Sequence, residues 1–402
     1  MRGLGIGIAL VLSVGTGCAT PPPPIAPAID AVSVPIEVYH NRVYLPARID
    51  GRAQVILVFD NGASVSGLQD SVARALGIKP AGRATLTGNG QSAMSVGLAN
   101  DVTFDVASTA IREPLVAILP YADFARHEGR PNGGVLGKDV FARFIVDVDY
   151  AAHRLTLRDP DRFTYPPSGI VIPLHVRKDA TAAWMAARIT LPGHAPLEAR
   201  LALDMGTYSA LRLYSPFVKS RHVLGDVAKT VSTYGFGLGG EFPVRLARVQ
   251  SLDIGGAHLE EPVAELSLAD AGATARHDVD GTIGGAILRR FRVIVDYPHA
   301  QMILVPNAEL ATPFTADMSG LVLEAGGVRL ATLTVSHVLD GTAAAEAGFE
   351  VEDRLVSIDG VSTETLGLER VQALLSRQAA YHVAITRGDS TRNLLLRTRP
   401  II

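Results

Sequence analysis

Short apolar runs that alternate with polar residues dominate the chain from about residue 32 to residue 306. Examples are Val38-Tyr39, Val43 to Leu45 and Val55 to Phe59, and Gly, Pro and Asp separate such runs. Helical periodicity here is brief, and Ser71 to Leu76 is its best instance. Alternation with a period of two is typical of half-buried strands, whereas helices need apolar positions three and four apart. The pattern therefore predicts an almost all-β region.

The closing segment of one half of this region is repeated in the other half. Phe144 to Tyr150 and Phe291 to Tyr297 share the pattern Phe-x-Val-x-Val-Asp-Tyr, and Gly134 to Gly137 and Gly281 to Gly284 precede them. Equivalent positions are 147 residues apart throughout, so the match needs no gap. The alternation places Phe and both Val on one face of a strand, towards the core. The sequence thus contains a duplicated β domain.

An apolar strand runs into Asp-x-Gly once in each half. Val55 to Phe59 precedes Asp60, and Ala199 to Leu203 precedes Asp204, which lies 144 residues further along. A single Asp-x-Gly is typical of a turn after a strand. Two copies at equivalent places of a repeat favour a different interpretation, in which the two carboxylates meet.

Two facing carboxylates have the chemistry that hydrolysis of an amide by water requires. A charged carboxylate takes a proton from the water, and a protonated one donates to the carbonyl oxygen or the leaving nitrogen. Proximity creates this state, because like charges a few ångströms apart are costly to ionise together. Asp60 and Asp204 are therefore the candidate catalytic residues, and they would titrate as a unit. The repeated Asp149 and Asp296 lie in the closing strands, where we expect them to bond a turn.

Both loops resemble the Asp-Thr/Ser-Gly loops of aspartic peptidases of the retropepsin and pepsin type. Val135 to Gly137 and Thr282 to Gly284 resemble the hydrophobic-hydrophobic-Gly segment that packs beneath each loop in that family. The likeness covers roughly residues 33–306. It implies two closed, retropepsin-like β-barrel lobes related by pseudo-two-fold symmetry. It also implies which residues support the two catalytic loops: Asn61, Gly62, Ala63, Met205, Gly206, Thr207, Gly137 and Gly284.

Asn61 and Met205 depart from the family pattern, in which Thr or Ser at this position bonds to the opposite loop. Asn61 can donate and accept such bonds, whereas Met205 cannot. An asymmetric or looser loop pairing is expected, and both activity and its loss stay open. The family also has a hairpin flap in each lobe. The Gly-rich segments Thr85 to Gly97 and Thr233 to Pro243 are the candidates, with an ordinary loop as the alternative.

From about residue 310 the pattern changes to a small α+β unit. Leu333 to Val338 predicts a strand, Ala343 to Ala347 a short helix ended by Gly348, Asp359-Gly360 a hairpin turn, and Leu368 to Arg377 an amphipathic helix. This order resembles the PDZ domains of bacterial periplasmic proteases. The resemblance implies that peptide C-termini add as a strand beside the second helix, with the carboxylate-binding loop near residues 325–328. A domain that merely caps the peptidase is the alternative.

The N-terminus is typical of an exported protein. Arg2 precedes an apolar run from Leu4 to Val14, which is too short to span a bilayer comfortably. Cys18, the only Cys in the chain, resembles the lipidated Cys of bacterial lipoproteins, although Gly15 stands where that family usually has Leu. An ordinary secretory signal is the alternative. Four Pro from Pro21 onwards predict a stiff spacer, and we expect a periplasm-facing envelope protein anchored to a membrane by lipid.

Composition excludes several classes of function. Hydrophobic residues make up 48% and charged residues 19%, as in globular proteins, and the net charge of −3 gives no reason to expect nucleic acid as a partner. The sequence has no Cys/His pattern with zinc spacing, no phosphate-binding Gly-rich loop and no Gly-x-Ser-x-Gly elbow. We therefore expect neither a metal nor a cofactor.

Together these features predict an aspartic endopeptidase of the cell envelope that cleaves peptide or protein substrates and recognises peptides through its PDZ domain. The alternative is an inactive peptidase fold that binds peptides or acts as a scaffold. The predicted divisions are a signal peptide at residues 1–17, a lipidated Cys and Pro-rich linker at 18–32, lobe 1 at 33–163, lobe 2 at 164–308 and the PDZ domain at 309–402.

Overall fold

A computed structural model gives the structure of the protein over residues 31–120, 122–176 and 183–402. The predicted signal peptide, Cys18 and residues 19–30 of the predicted linker lie outside the described residues. Within those ranges, no helix is both long enough and apolar enough to cross a membrane.

The first lobe is a closed barrel made from an eight-stranded sheet. After β1 (Ala31–Pro35), its elements are β2 (Glu37–Tyr39), β3 (Arg42–Ile49), β4 (Ala53–Phe59), β5 (Gly67–Gln69), α1 (Asp70–Ala75), β6 (Gly82–Leu86), β7 (Met94–Val106), β8 (Thr109–Leu119), α2 (Ala122–Glu128), β9 (Gly134–Leu136) and α3 (Asp139–Arg143). Strand β3 pairs with β4 on one side and with the end of β7 on the other, which closes the sheet. Helix α1 confirms the helix predicted from residue 71.

The second lobe repeats this arrangement in a nine-stranded sheet. Its elements are β13 (Trp184–Thr190), β14 (Leu197–Leu203), β15 (Leu211–Leu213), α4 (Ser215–Ser220), α5 (Val223–Asp226), β16 (Thr230–Gly237), β17 (Gly240–Arg248), β18 (Ser251–Ile254), β19 (Ala257–Glu260), β20 (Val263–Ser267), a 3₁₀ turn (Ala273–Ala275), β21 (Gly281–Ile283) and α6 (Gly285–Leu288). The equivalent of the long β7 is divided into β17 and β18. Strand β17 pairs with β20 and β18 pairs with β13, so the lobe closes as the first one does.

A six-stranded sheet joins the two lobes. Besides β1, its strands are β10 (Ile145–Asp149), β11 (Arg154–Arg158), β12 (Ile170–Pro173), β22 (Phe291–Asp296) and β23 (Gln301–Pro306). Their order in the sheet is β1-β11-β10-β22-β23-β12. At its centre the two repeated segments pair antiparallel, and Asp147 lies opposite Ile294, its own equivalent in the repeat. The neighbouring pairs are symmetric about this one. The pseudo-two-fold axis predicted from the duplication therefore passes between β10 and β22.

Buried Val, Leu, Ile and Ala form a continuous core through both lobes and the joining sheet. Phe144 and Phe291, with the two Val that follow each, all belong to this core, as their alternation predicted. Asp149 Oδ1 accepts from Ala152 N (2.9 Å) and Asp296 Oδ1 accepts from His299 N (3.0 Å). The structural role predicted for these two carboxylates is confirmed, because each bonds a turn.

The C-terminal domain has a separate core and a six-stranded sheet, in which five strands follow one another and the short sixth strand pairs with the third of them. Its elements are β24 (Leu321–Gly326), β25 (Thr332–Val338), α7 (Ala343–Ala347), β26 (Arg354–Ile358), β27 (Val361–Ser362), α8 (Thr363–Leu375), β28 (Ala380–Arg387) and β29 (Ser390–Arg397). Gly348 ends α7 with a φ of 82°, and Asp359-Gly360 turns between β26 and β27 with φ values of 48° and 78°. A break at Gly367 leaves the main part of α8 to begin at Leu368, where the sequence predicted it.

Candidate active site

Both Asp-x-Gly loops lie at the ends of equivalent strands, β4 and β14. Strand β4 pairs in parallel with β9 and β14 with β21. Asp60 N donates to Leu136 O (3.0 Å), and Asp204 N donates to Ile283 O (3.1 Å). The same hydrogen bond therefore fixes each Asp to the hydrophobic-hydrophobic-Gly segment of its own lobe.

The two loops bring the Asp60 and Asp204 carboxylates to one place. A methyl group on Gly62 would lie 3.0 Å from Asp60 Oδ1 and 3.1 Å from Asp204 Oδ1, so both carboxylates border the same point. A methyl group on Gly206 would lie 2.2 Å from Asp60 Cγ, which no side chain tolerates. The glycines are needed because each loop approaches the carboxylate of the other.

Backbone amides hold the carboxylates in this position. Gly62 N donates to Asp60 Oδ1 (2.7 Å), and Gly206 N donates to Asp204 Oδ1 (3.1 Å). Burial, followed by the nearby charge of Asp204, raises the pKa of Asp60 to about 7, although the two glycine amides and Arg42 oppose this shift. Burial also raises the pKa of Asp204. A pair that retains one proton near neutral pH is the state that acid–base hydrolysis requires.

The Asn61 side chain connects the two loops. Its side chain is fully buried, and its Nδ2 donates to Leu203 O (2.7 Å) and to the Tyr297 hydroxyl (2.8 Å). Its Oδ1 accepts from Met205 N (2.8 Å). Met205 makes no equivalent side-chain bond and packs into the main core. The predicted asymmetry is present, but the predicted loosening is not, because one amide provides three hydrogen bonds across the lobes.

Gly137 and Gly284 lie directly beneath the loops, where a side chain would collide with them. A methyl group on Gly137 would lie 2.9 Å from Ala63 O, and one on Gly284 would lie 2.3 Å from Thr207 Cγ2. Ala63 O accepts from Lys138 N (3.0 Å), and Thr207 O accepts from Gly285 N (2.9 Å). The eight support residues thus all lie in or against the two loops.

A buried Arg–Glu pair stands behind each loop, and neither was predicted. Arg42 Nη1 donates to Glu128 Oε1 (2.6 Å), and Arg212 Nε donates to Glu265 Oε2 (2.6 Å). Arg42 lowers the pKa of both aspartates, and Arg212 lowers that of Asp204. The sequence could have indicated Arg212, because this charged residue interrupts the apolar run of β15. It does not indicate Arg42, which begins a strand next to other polar residues.

The aspartates open into a cavity of about 1420 Å³ that two hairpins line. These are the β6–β7 and β16–β17 hairpins, which contain the candidate flap segments. The tips meet, because Gly90 N donates to Leu238 O (3.0 Å) and Ser92 N donates to Gly239 O (3.1 Å). The cavity is large enough to enclose several residues of an extended peptide.

Two sequence families match parts of the chain. Residues 45–140 match the family described as aspartyl protease. Residues 334–386 match the PDZ domain family. The chain combines an aspartyl protease-like domain with a PDZ domain. The mostly β, two-lobed fold with a C-terminal PDZ domain was thus predicted correctly from the sequence.

Solved structures also match, whereas no curated protein does. One match is the aspartic proteinase from Irpex lacteus, which is 16% identical and covers 70% of this chain and 99% of its own. Its TM-score of 0.45 is too low to establish a shared fold by itself.

Part of the PDZ surface between β24 and α8 opens into the same cavity as the aspartates. The PDZ residues that line it are Leu321, Val322, Leu323, Gln372, Leu375 and Ser376. The other part of this surface contacts lobe 1. Arg126 Nη2 donates to Glu324 Oε2 (2.6 Å), and His40 N donates to Glu369 Oε1 (3.1 Å). The PDZ domain therefore lies against the entrance to the protease-like site.

The segment predicted as the carboxylate-binding loop, residues 325–328, does not line this cavity. It forms the end of β24 and the turn into β25. The amides at the cavity end of β24 instead bond to Asp317, whose carboxylate accepts from Ser319 N (3.1 Å), Ser319 Oγ (2.7 Å) and Gly320 N (2.5 Å). Burial raises the pKa of Asp317 despite these bonds. A peptide carboxylate at these amides would have to displace Asp317.

Proposed function

We propose that this protein is an aspartic-type endopeptidase whose catalytic pair is Asp60 and Asp204. The observation that supports this most strongly is the common point bordered by both carboxylates, inside a cavity that two hairpins line. The raised pKa of Asp60 also supports the proposal, because the pair can then share one proton near neutral pH.

In the proposed reaction, a water molecule between the two carboxylates attacks the peptide carbonyl carbon. The charged carboxylate takes one proton from this water, and the protonated one gives its proton to the carbonyl oxygen. The resulting tetrahedral intermediate then collapses and the C–N bond breaks. The carboxyl that took the water proton delivers it to the leaving nitrogen, and one hydroxyl of the intermediate returns its proton to the other carboxylate as the new carbonyl group forms. One water is consumed, and the pair returns to its single-proton state.

The PDZ domain has the role of binding peptide segments beside this site. The shared cavity supports this role, since a chain held along β24 would lead towards the aspartates. We further propose that the protein is exported and anchored by lipid at Cys18, so that its substrates are peptides or proteins of the cell envelope. Metabolic labelling with a radioactive fatty acid, in the wild type and in Cys18→Ser, tests the anchor.

Cleavage of a peptide library by the purified chain, across acid to neutral pH, tests the peptidase function. We expect internal cleavages, identified by mass spectrometry, that a pepstatin-type inhibitor suppresses. Turnover that the inhibitor leaves unchanged would contradict the mechanism. No turnover at any pH, together with measurable peptide binding by the PDZ domain, would favour the inactive peptide-binding scaffold.

The pH dependence of peptide hydrolysis should follow the shared proton. We expect kcat/KM to fall as the pH rises through about 7, because the pair then loses the proton that the carbonyl oxygen needs. A pH–rate profile with one library-derived peptide measures this. A rate that rises between pH 6 and 8 would point to a different acid or base.

A further inference from the structure

Three parts of the chain meet at one place beside the large cavity. They are helix α2 of lobe 1, the beginning of β17 in the second hairpin, and the first two strands of the PDZ domain. They contribute His127, Glu241 and Glu324, whose side-chain ligand atoms lie within 4.8 Å of one another. His337 completes the group, because its Nε2 lies 3.0 Å from Glu241 Oε1. These four side chains line a separate cavity of about 540 Å³.

The ring of His127 is held with one nitrogen facing this group. Its Nδ1 lies 2.9 Å from the carbonyl oxygen of Asp123. Since a carbonyl oxygen only accepts hydrogen bonds, Nδ1 carries a hydrogen. The ring also stacks on Phe236, with centroids 3.5 Å apart and an angle of 8° between the planes. In the neutral ring, Nε2 therefore directs a lone pair at Glu324 Oε1, which lies 3.3 Å away.

Two lone pairs that face each other at this distance repel. His127 Nε2 is also buried, and it has no hydrogen-bond partner in the part of the chain that the structure describes. A cation between the two atoms removes both problems. A histidine that donates its other ring N–H to a carbonyl group is the arrangement typical of metal ligands. We propose that His127, Glu241, Glu324 and His337 bind one divalent transition-metal ion of the zinc class.

The ligand set fits such an ion in type, charge and spacing. Two imidazole nitrogens and two carboxylate oxygens suit zinc, and two glutamates balance its charge. Zinc bonds of about 2.0–2.2 Å place tetrahedral ligands about 3.3–3.6 Å apart. The distances from His127 to Glu324 (3.3 Å) and from His337 to Glu241 (3.0 Å) are close to this. The Glu241 side chain is 37% exposed and has room to close the longer separations.

Surrounding groups orient these ligands. Arg126 donates to Glu324 Oε2 (2.6 Å) and leaves Oε1 facing the cavity. The charge of Arg126 weakens cation binding, but Asp123 and Glu352 also line the cavity and offset it. The His337 ring stacks on Tyr234, with centroids 4.2 Å apart. Both imidazoles therefore pack on aromatic residues of β16, which limits their rotation.

An ion at this place links lobe 1, the second hairpin and the PDZ domain. Because the hairpin and the PDZ domain also line the large cavity, the ion stabilises the arrangement in which both lie against it. The ligands come from positions 127, 241, 324 and 337, so no local spacing in the sequence reveals the site. This explains why the sequence predicted no metal.

Isothermal titration of the untagged full chain with zinc chloride at pH 7.5 tests the proposal. We expect one ion per chain and a zinc-dependent increase in the Tm of the protein. Glu324→Gln and His127→Gln should each weaken binding at least about 10-fold, since each removes a ligand. The matched control is His258→Gln, which removes an exposed His–Asp pair (2.7 Å to Asp253) and should leave the Kd unchanged.

Zinc binding below half an ion per chain, or equal affinity in the wild type and both ligand variants, would overturn the proposal. So would a doubly protonated His127 ring in NMR spectra recorded with zinc at pH 7.5, because a proton would then occupy the place of the ion. No substrate is present in these measurements. Their outcome is therefore independent of the proposed peptidase activity.

Discussion

Asp60→Asn should lower kcat/KM for peptide hydrolysis by about 10³- to 10⁴-fold, and Asp204→Asn should have a similar effect. An amide neither accepts a proton from water nor donates an acidic one, so either replacement removes one half of the acid–base pair. The substitution keeps the size of the side chain. Initial rates with a single peptide, for the wild type and both variants, measure the loss.

The stability of Asp60→Asn separates lost chemistry from lost folding. Because burial raises the pKa of Asp60, the folded chain keeps a proton that the unfolded chain releases above about pH 4. The contribution of this residue to stability is therefore full at low pH and is lost as the pH rises towards 7. Asp60→Asn avoids this loss, and we expect it to be more stable than the wild type at pH 7 but not at pH 4.

A repeated aspartate outside the cleft provides the activity control. Asp149 is paired with Asp296 by the same duplication, but its carboxylate accepts from Ala152 N in a turn. Asp149→Asn should therefore retain most of the activity. Activity unchanged by Asp60→Asn, or lost equally in Asp149→Asn, would contradict the assignment of the catalytic pair.

Asn61→Ala should lower the free energy of unfolding by about 3 kcal/mol. The replacement leaves Met205 N, Leu203 O and the Tyr297 hydroxyl without their shared partner in a buried place. Each unsatisfied group of this kind costs about 1–3 kcal/mol, partly offset by relaxation. Urea unfolding monitored by circular dichroism measures the change.

Asn100→Ala is the matched control for this prediction, because Asn100 is exposed on β7 in the same lobe. We expect its effect to stay within about 0.5 kcal/mol. If Asn61→Ala were equally mild, its three hydrogen bonds would not stabilise the pairing of the two loops. Asn61→Ala should also lower kcat for peptide hydrolysis, because the two loops lose their alignment.

The duplication made the lobed fold predictable from the sequence. The exact repeat from Phe144 and from Phe291 fixed two equivalent strands, and their alternation fixed which face is buried. Antiparallel pairing of equivalent strands then generates the two-fold relation between the lobes. Asp60 and Asp204 followed from the same symmetry, since equivalent turns near an axis face each other.

The remaining features of the site depend on contacts that no local pattern encodes. The presence of Met205 predicted a weaker connection between the loops. The sequence does not show that the Asn61 side-chain amide supplies three hydrogen bonds across them. The Arg42–Glu128 pair joins residues that are far apart in the chain. The predicted carboxylate-binding segment at residues 325–328 lies at the end of β24 that does not line the cavity, and the sequence does not show which end of this strand faces the lobes.

The most direct test of the shared site is an NMR titration of carboxyl groups in protein labelled with ¹³C at Asp. We predict that Asp60 titrates near pH 7 in the wild type and at a lower pH in Asp204→Asn, because burial persists while the neighbouring negative charge is removed. An Asp60 pKa that is the same in both proteins would show that the two carboxylates do not interact, and it would contradict the proposed catalytic pair.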